Sequence, residues 1–397
     1  MKVGIVRERK SPPDFRVPFS PEQVAELKHA FPALSFVVET SPDRCFSDAE
    51  YERAGVSVVD DLHDADVLLG VKEIPIAHLI PGKTYLFFSH TIKKQPYNKP
   101  LLEAVVNKNI TLLDYECFRD ATGERLVGFG GYAGIVGVYN GLKAYGEKTG
   151  LFMIPPAYQL SGGRAEANAI LQALPDFSMR VLLTGRGRVA HGAMEMLEVA
   201  GFTRVDQSEL AQSQGKVYAV AEYFTYNQRK DGGPFSHNDF VQHPEDYHSI
   251  LPTLLKGVDM YVAGHFWAKG SPVLLTREDL SLLLPDLKVI ADISCDVGGP
   301  IASTVRASTM EQPVYGFDPK TGKEVDLTSS GALWVMAVDN LPCELPKDAS
   351  ISFGEELRTV MRLLFGAPQH PTIEKATLVK NGVIQPAYAY LADWLSE

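Results

Sequence analysis

The sequence predicts an α/β protein built on parallel sheets, and three observations carry that prediction. Short apolar runs alternate with helical patterns through the first half of the chain, a second alternation begins at residue 179, and its first strand runs directly into a glycine-rich turn. The chain has 397 residues, of which 45% are hydrophobic, enough for two or three domains with real cores.

Taken in order, KVGIV (2–6) reads as a strand, PEQVAELKHAF (21–31) as a helix and SFVVET (35–40) as a second strand. DVLLGV (66–71) and TYLFFS (84–89) are too short for helices and read as strands. A helix near PLLEAVVNKN (100–109) precedes the strand ITLLDYE (110–116). The segment GYAGIVGVYNGLKAYGEKTG (131–150) lacks proline and repeats small and apolar residues, as in a helix packed closely on another surface, and an interdomain helix is expected there. Strands follow at MRVLLT (179–184), GFTRVD (201–206), VDMYVAG (258–264) and LKVIADIS (287–294). Residues 224–249, rich in Asp, Asn, Gly, Pro and His, read as a long loop. SFGEELRTVMRLLF (352–365) and PAYAYLADWLSE (386–397) close the chain as helices.

Charge and composition exclude several functions. The 49 acidic against 38 basic residues give a net charge of −11, which argues against nucleic acid or an anionic membrane surface as the main ligand. Cys45, Cys117, Cys295 and Cys343 are far apart, with no C-x-x-C pair, so neither a disulfide framework nor a metal site is expected. The N-terminal apolar run is too short for a secretory signal, and no stretch approaches the roughly 18 apolar residues of a membrane span. A soluble, cytoplasmic protein acting on small molecules is expected, as a monomer or homo-oligomer.

The most specific local motif is G-x-G-x-x-A, at Gly185, Gly187 and Ala190, between MRVLLT and a helical pattern that ends at Gly201. The first glycine makes the tight turn, the second lets a pyrophosphate approach the backbone, and the small third residue permits close helix packing. The helix N-terminus offers amides and a positive dipole end to the phosphates. Gly185, Arg186, Gly187, Arg188, Val189 and Ala190 are therefore candidate cofactor residues. Asp206, 19 residues beyond Gly187, is placed to accept hydrogen bonds from the adenosine ribose, which points to NAD. NADP stays open, because Arg186, Arg188 and Arg204 could neutralise a 2′-phosphate.

Two strand-like runs end on ionisable residues, Lys72 and His90, where open α/β sheets bind ligands. Arg16, Lys93 and Arg125 also stand next to strand ends or turns. Taken singly, each is an ordinary surface charge, His90 a core histidine, and Glu116 and Asp296 surface or capping carboxylates. Beside a dinucleotide domain they suit hydride transfer on an anionic substrate. Arginines anchor carboxylates, while histidine and a desolvated lysine titrate near neutrality.

FRVPFSP, GVKEIP, the His90 stretch and GRGRVAHGA together resemble the alanine dehydrogenase and pyridine nucleotide transhydrogenase superfamily. The closer likeness is to saccharopine dehydrogenase (lysine-forming) and the lysine-ketoglutarate reductase domain. It is carried by FFSHTIKKQ, LLDYECFRDATGERLVGFGGYAGIVG, FVQHPEDYHSILP, GHFWAKGSPVLLTREDL, ADISCDVGGPI, VDNLPCELPKDAS and NGVIQPAYAYLADWL, nearly the whole chain. The resemblance implies two Rossmann-like doubly wound domains with a cofactor and substrate cleft between them. Residues 1–131 plus 345–397 would form the substrate and catalytic domain, completed by the C-terminal helices, and 132–344 the dinucleotide-binding domain. No saccharopine-cleaving second half is expected. The resemblance further implies Lys72 and His90 as the acid–base pair, with Asp296 near them and the nicotinamide. It assigns Arg16 and Arg125 to substrate carboxylates, and Lys93 and Glu116 to tuning the charge of the site. Phe266 and Trp267 would line the substrate and Gly264 the cofactor. The implied reaction joins L-lysine to 2-oxoglutarate to give saccharopine, or the reverse. The alternatives are an alanine-dehydrogenase-like deaminase, a related opine-type reductase with another amine, and a dinucleotide-binding regulatory protein without catalysis.

Overall fold

The computed structural model describes residues 1–397. The chain forms two compact units, Met1–Phe129 with Pro346–Glu397, and Gly130–Leu345. No helix is long and apolar enough to cross a membrane.

The first unit opens with β1 (Lys2–Ile5), α1 (Pro21–Ala30), β2 (Ser35–Glu39), α2 (Asp48–Arg53), β3 (Ser57–Val59), β4 (Val67–Leu69), β5 (Thr84–Phe87), α3 (Lys99–Asn107) and β6 (Thr111–Asp114). β1, β4, β5 and β6 are apolar and almost wholly buried, as strands covered on both faces must be. Helix α1 starts at Ser20, whose hydroxyl accepts the Gln23 N–H while the Gln23 side chain accepts the Ser20 N–H, a capping box. The six strands pair in parallel in the order β3-β2-β1-β4-β5-β6. Chain direction across the sheet reverses between β1 and β4, so the carboxyl ends of these two strands flank the switch point where ligands bind in such sheets.

The second unit runs through α4 (Gly130–Thr149), α5 (Gly163–Gln172), β7 (Met179–Thr184), α6 (Arg188–Val199), β8 (Thr203–Arg204), β9 (Lys216–Ala221), β10 (Asn227–Arg229), β11 (Tyr247–Ser249), β12 (Met260–Ala263), β13 (Val289–Asp292), β14 (Val314–Asp318), β15 (Lys323–Val325) and β16 (Leu333–Met336). Its main sheet has the order β15-β14-β16-β13-β12-β7-β9-β8, parallel from β16 to β8 and closed at the other edge by antiparallel β14 and β15. Apolar side chains cover both faces, among them Tyr139, Met179 and Met196 on one and Leu182, Tyr261 and Phe317 on the other. The small residues of α4 are used within this unit: a Cβ at Gly134 would strike the Val189 carbonyl of α6, and one at Gly192 the Gly131 carbonyl.

The chain then returns to the first unit with the helix Pro346–Gly366 and the strands β17 (Thr377–Lys380) and β18 (Val383–Ile384), which extend that sheet antiparallel to β6. Phe353 of this helix stacks on Phe129 and meets the rings of Phe88 and Tyr115.

Two expectations are corrected. Residues 224–249 are not a long loop: β10 and β11 pair antiparallel, and a short helix, His237–Gln242, lies between them. The rings of Tyr223, Phe235, Phe240 and Tyr247 cluster beneath, and Arg229 pairs with Asp231 and Asp239. The turn-forming residues are real, but the aromatics scattered among them make a small core that no periodicity announces. GFTRVD, expected as a full strand, keeps only the two exposed residues of β8.

Candidate functional site

In the first unit, Lys72 follows β4, His90 follows β5 and Glu116 follows β6, so three adjacent parallel strands deliver them to one edge. His90 has φ 55°, a left-handed backbone that turns the chain into a 3₁₀ turn, and its ring stacks on Phe88. Nδ1 lies 3.4 Å from Oε2 of Glu116, and Nε2 lies 3.9 Å from Oε1 of Glu73. Oε1 of Glu116 is also 3.1 Å from Lys93 Nζ and 3.5 Å from Arg125 Nη2. Burial pushes the Glu116 carboxyl up, but the His90 hydrogen bond and the charges of Lys93, His90 and Arg125 outweigh it and hold the group near 2, at about 2. Glu116 is thus an ionised hub shared by the Lys93 and Arg125 cations and the His90 ring. Lys93 and Arg125 are 52% and 37% exposed and can reach outward to an anion.

Lys72 sits in a different environment. Burial, Arg16 and Lys10 lower its pKa, against the opposing charges of Asp14 and Glu73. Its backbone is pinned by Glu8, a residue that reads in RERK as a plain surface charge: Glu8 accepts the N–H of Val71 at 2.6 Å and of Lys72 at 3.1 Å. Burial first, and then Asp14, push the Glu8 carboxyl up to about 8 despite those bonds. Arg16 is 3% exposed, with Nε and Nη2 donating to the two oxygens of Asp14 at 2.9 and 2.5 Å and the guanidinium 4.2 Å over the Phe129 ring. Burial pushes Asp14 up, yet Arg16 beside it holds it far below the usual carboxylate range. The structure therefore brings Arg16, Lys72, His90, Lys93, Glu116 and Arg125 onto one unit and adds Glu8, Asp14 and Glu73. The added residues gave no sequence signal beyond closeness in the chain to Arg16 and Lys72.

The other candidates lie on the second unit. Gly185 (φ 117°) leaves β7, donates its N–H to the Ala221 carbonyl at 3.0 Å, and would place a Cβ 2.5 Å from the Gly264 carbonyl. The ends of β7 and β12 approach that closely because residue 185 is glycine. A Cβ at Gly187 meets nothing within 4 Å, which leaves open the approach to the N-terminus of α6. Arg188 and Val189 begin α6, and Ala190 is buried within it. Arg186 lies 3.7 Å from Glu222 and over the Tyr223 ring. Phe266 is 89% exposed, and Trp267 donates Nε1–H to the Pro272 carbonyl. Asp296 is half-buried in the loop after β13, a loop shaped by buried Asp292, which accepts from Ser294 Oγ, Cys295 N and Thr304 Oγ1.

Asp206 lies apart from the glycine turn. β8 lies outside β9, and β7 is hydrogen-bonded to β9 on that side and to β12 on the other. Asp206 instead caps its own turn, accepting the N–H and hydroxyl of Ser208 at 2.9 and 2.6 Å. Residue spacing along the chain was right for a ribose carboxylate, but spacing does not say which strand wins the place beside β7.

A mostly parallel switch-point sheet carrying a lysine, a histidine and a buried carboxylate, and a second, mostly parallel sheet bearing a glycine turn, place the chain among α/β proteins of two Rossmann-like units. Residues 4–136 match the family model described as alanine dehydrogenase/PNT, N-terminal domain. A solved L-alanine dehydrogenase shares the fold, with a TM-score of 0.66 over 100% of both chains at 17% identity. More particularly, the chain is similar in sequence to proteins named as lysine-forming saccharopine dehydrogenases. It is 26% identical to the saccharopine dehydrogenase [NAD(+), L-lysine-forming] of Neurospora crassa over 87% of this chain and 86% of that protein. It is also 29% identical to the alpha-aminoadipic semialdehyde synthase of Arabidopsis thaliana over 98% of this chain and 41% of that protein. The chain spans less than half the length of the semialdehyde synthases it matches.

Proposed function

We propose that the protein is an NAD-dependent oxidoreductase of the CH–NH bond of a secondary amine, interconverting saccharopine with L-lysine and 2-oxoglutarate. The observation that carries this reading is the placement of Lys72, His90 and Glu116 after three adjacent parallel strands, with Glu116 in contact with His90, Lys93 and Arg125. The choice of saccharopine and lysine is supported by the likeness to the Neurospora crassa enzyme, whose name states saccharopine, lysine and NAD. A cytoplasmic location goes with it.

The β7–α6 turn fits a dinucleotide. Its first glycine stands where a Cβ would collide with backbone, its second faces open space, and a 12-residue helix begins just beyond. Gly185 to Ala190 would hold the pyrophosphate, with Gly264 closing the turn from β12. When bound, the nicotinamide supplies or accepts the hydride.

The chain's own residues do the rest. Arg125 and Lys93 bind the carboxylates of the oxo acid, with Glu116 keeping their charges positioned in its absence. Lys72, its ammonium destabilised by burial and by Arg16 and Lys10, takes a proton from the incoming amine, so that nitrogen attacks the ketone carbon as a neutral nucleophile. His90, between Glu116 and Glu73, gives a proton to the departing hydroxyl, which leaves as water and yields the imine. Glu8 and the Arg16–Asp14 pair fix the Lys72 backbone and the local field.

The test is a panel of amines and 2-oxo acids with NADH and NADPH, followed at the absorbance of reduced nicotinamide. Turnover with lysine and 2-oxoglutarate, and little with ammonia and pyruvate, is expected; the opposite ranking would make the protein an alanine-dehydrogenase-type deaminase.

A further inference from the structure

We infer that Glu222, not Asp206, is the carboxylate that reads the adenosine ribose, and that Arg186 is its partner in discriminating NADH from NADPH. The inference rests on the dinucleotide part of the proposed function and goes beyond it in naming the residues that choose between the two coenzymes.

The argument is topological. In a doubly wound sheet the ribose hydroxyls lie over the carboxyl end of the strand next to the one that carries the glycine turn. Here that neighbour is β9, in register with β7 from Met179–Lys216 to Thr184–Ala221. The ladder continues one step further, where the Gly185 N–H donates to the Ala221 carbonyl at 3.0 Å. Glu222 is the next residue, so it leaves the sheet directly beside the first glycine. Asp206 lies beyond β8 at the sheet's outer edge, with β9 between it and β7, and one of its carboxylate oxygens, Oδ1, accepts both bonds from Ser208.

The side chains agree with this placement. Glu222 is half-exposed, and its one ion pair is with Arg186, 3.7 Å away, the residue between the two glycines of the turn. Arg186 is largely exposed and lies with its guanidinium 5.5 Å from the centre of the Tyr223 ring. A carboxylate here accepts hydrogen bonds from ribose hydroxyls and repels a 2′-phosphate. The same carboxylate holds Arg186, a cation able to neutralise that phosphate. Glu222 therefore disfavours NADPH twice, by its own charge and by occupying Arg186. A buried apolar strand, KVYAVA, took the place that residue counting assigns to GFTRVD, and the recognition carboxylate moved with it.

Binding is measured without amine or oxo acid, by fluorescence titration of the full chain with NADH and with NADPH, for wild type, Glu222→Gln, Asp206→Asn and Glu222→Gln/Arg186→Ala. Wild type is expected to bind NADH at least about tenfold more tightly than NADPH, about 1.4 kcal/mol. Glu222→Gln should weaken NADH and strengthen NADPH until the preference vanishes or inverts, and Arg186→Ala in that background should remove the gain for NADPH. Asp206→Asn should leave both affinities within about twofold. A preference that survives Glu222→Gln, or collapses in Asp206→Asn, overturns the assignment, as does a wild type that prefers NADPH. Failure to bind either dinucleotide overturns both this inference and the proposed function. A shifted preference in a protein inactive on lysine and 2-oxoglutarate sustains the inference and overturns only the proposed substrates.

Discussion

The two sheets of this protein treat their switch points in opposite ways. Between β1 and β4 of the first unit the space is filled with ionisable side chains: Glu8 bonded to the backbone of Val71 and Lys72, with Asp14 and Arg16 in the same field. Between β7 and β12 of the second unit it is emptied, with Gly185 against the Gly264 carbonyl and no side chain between. Similar sheets thus present two kinds of surface at their switch points. Buried charges without water shift one another's proton affinities, which suits acid–base work. Bare backbone at a helix N-terminus offers fixed N–H groups to a phosphate and needs no titrating group at all.

The comparison is tested most strongly at Lys72 and His90. If the filled site handles protons and the emptied one only binds, Lys72→Met and His90→Gln should each lower kcat by roughly 10²- to 10⁴-fold while NADH affinity stays nearly unchanged. The double variant should lose less than the product of the single losses, because groups acting as a unit are not additive. Single variants with near-wild-type kcat across pH 6 to 9 would remove the chemical distinction between the units.

Asp14→Ala asks whether the charges of the filled site also bear on stability. Removing one partner of a buried pair leaves the Arg16 cation without that carboxylate, at a cost of about 3 kcal/mol in urea unfolding. A loss below about 1 kcal/mol would mean the pair behaves as an exposed one.

The emptied site has its counterpart in Gly185→Ala. With φ at 117° and the Gly264 carbonyl 2.5 Å from the added carbon, the variant should lose roughly 2 kcal/mol of stability and most of its NADH affinity, with little change in the pKa values seen in pH–rate profiles.

The smallest effect concerns Glu116. Its folded pKa of about 2 is depressed from 4.5, so its contribution to stability is fully present above about pH 4.5 and is lost as pH falls toward 2. Glu116→Gln should flatten the acid limb of the stability curve by on the order of 1 kcal/mol, and an unchanged limb would show that its cations are solvated.

Much of this was legible along the chain. The apolar runs around Lys72 and His90, the strand MRVLLT and the turn at Gly185 are specified by neighbours a few residues apart, and such patterns survive in a linear reading. Arg16 was legible as a cation at a turn but not as one already bidentate to Asp14, since side-chain pairing inside a folded loop leaves no periodic trace. The aromatic insertion at 224–249 was missed for the same reason: Phe235, Phe240 and Tyr247 make a core only once β10 and β11 have paired.

What the sequence by itself determined is the local chemistry: a strand feeding a glycine turn and a helix, and ionisable residues at the ends of buried strands. Only the tertiary structure decided which strand lies beside which, and therefore that Glu222 rather than Asp206 stands next to Gly185 and that Glu8 lies beneath Lys72. The physical reason is that strand neighbours are chosen by burial over long separations. KVYAVA hides apolar side chains on both faces and takes the interior place beside β7, while Thr203 and Arg204, exposed and short, are left at the edge.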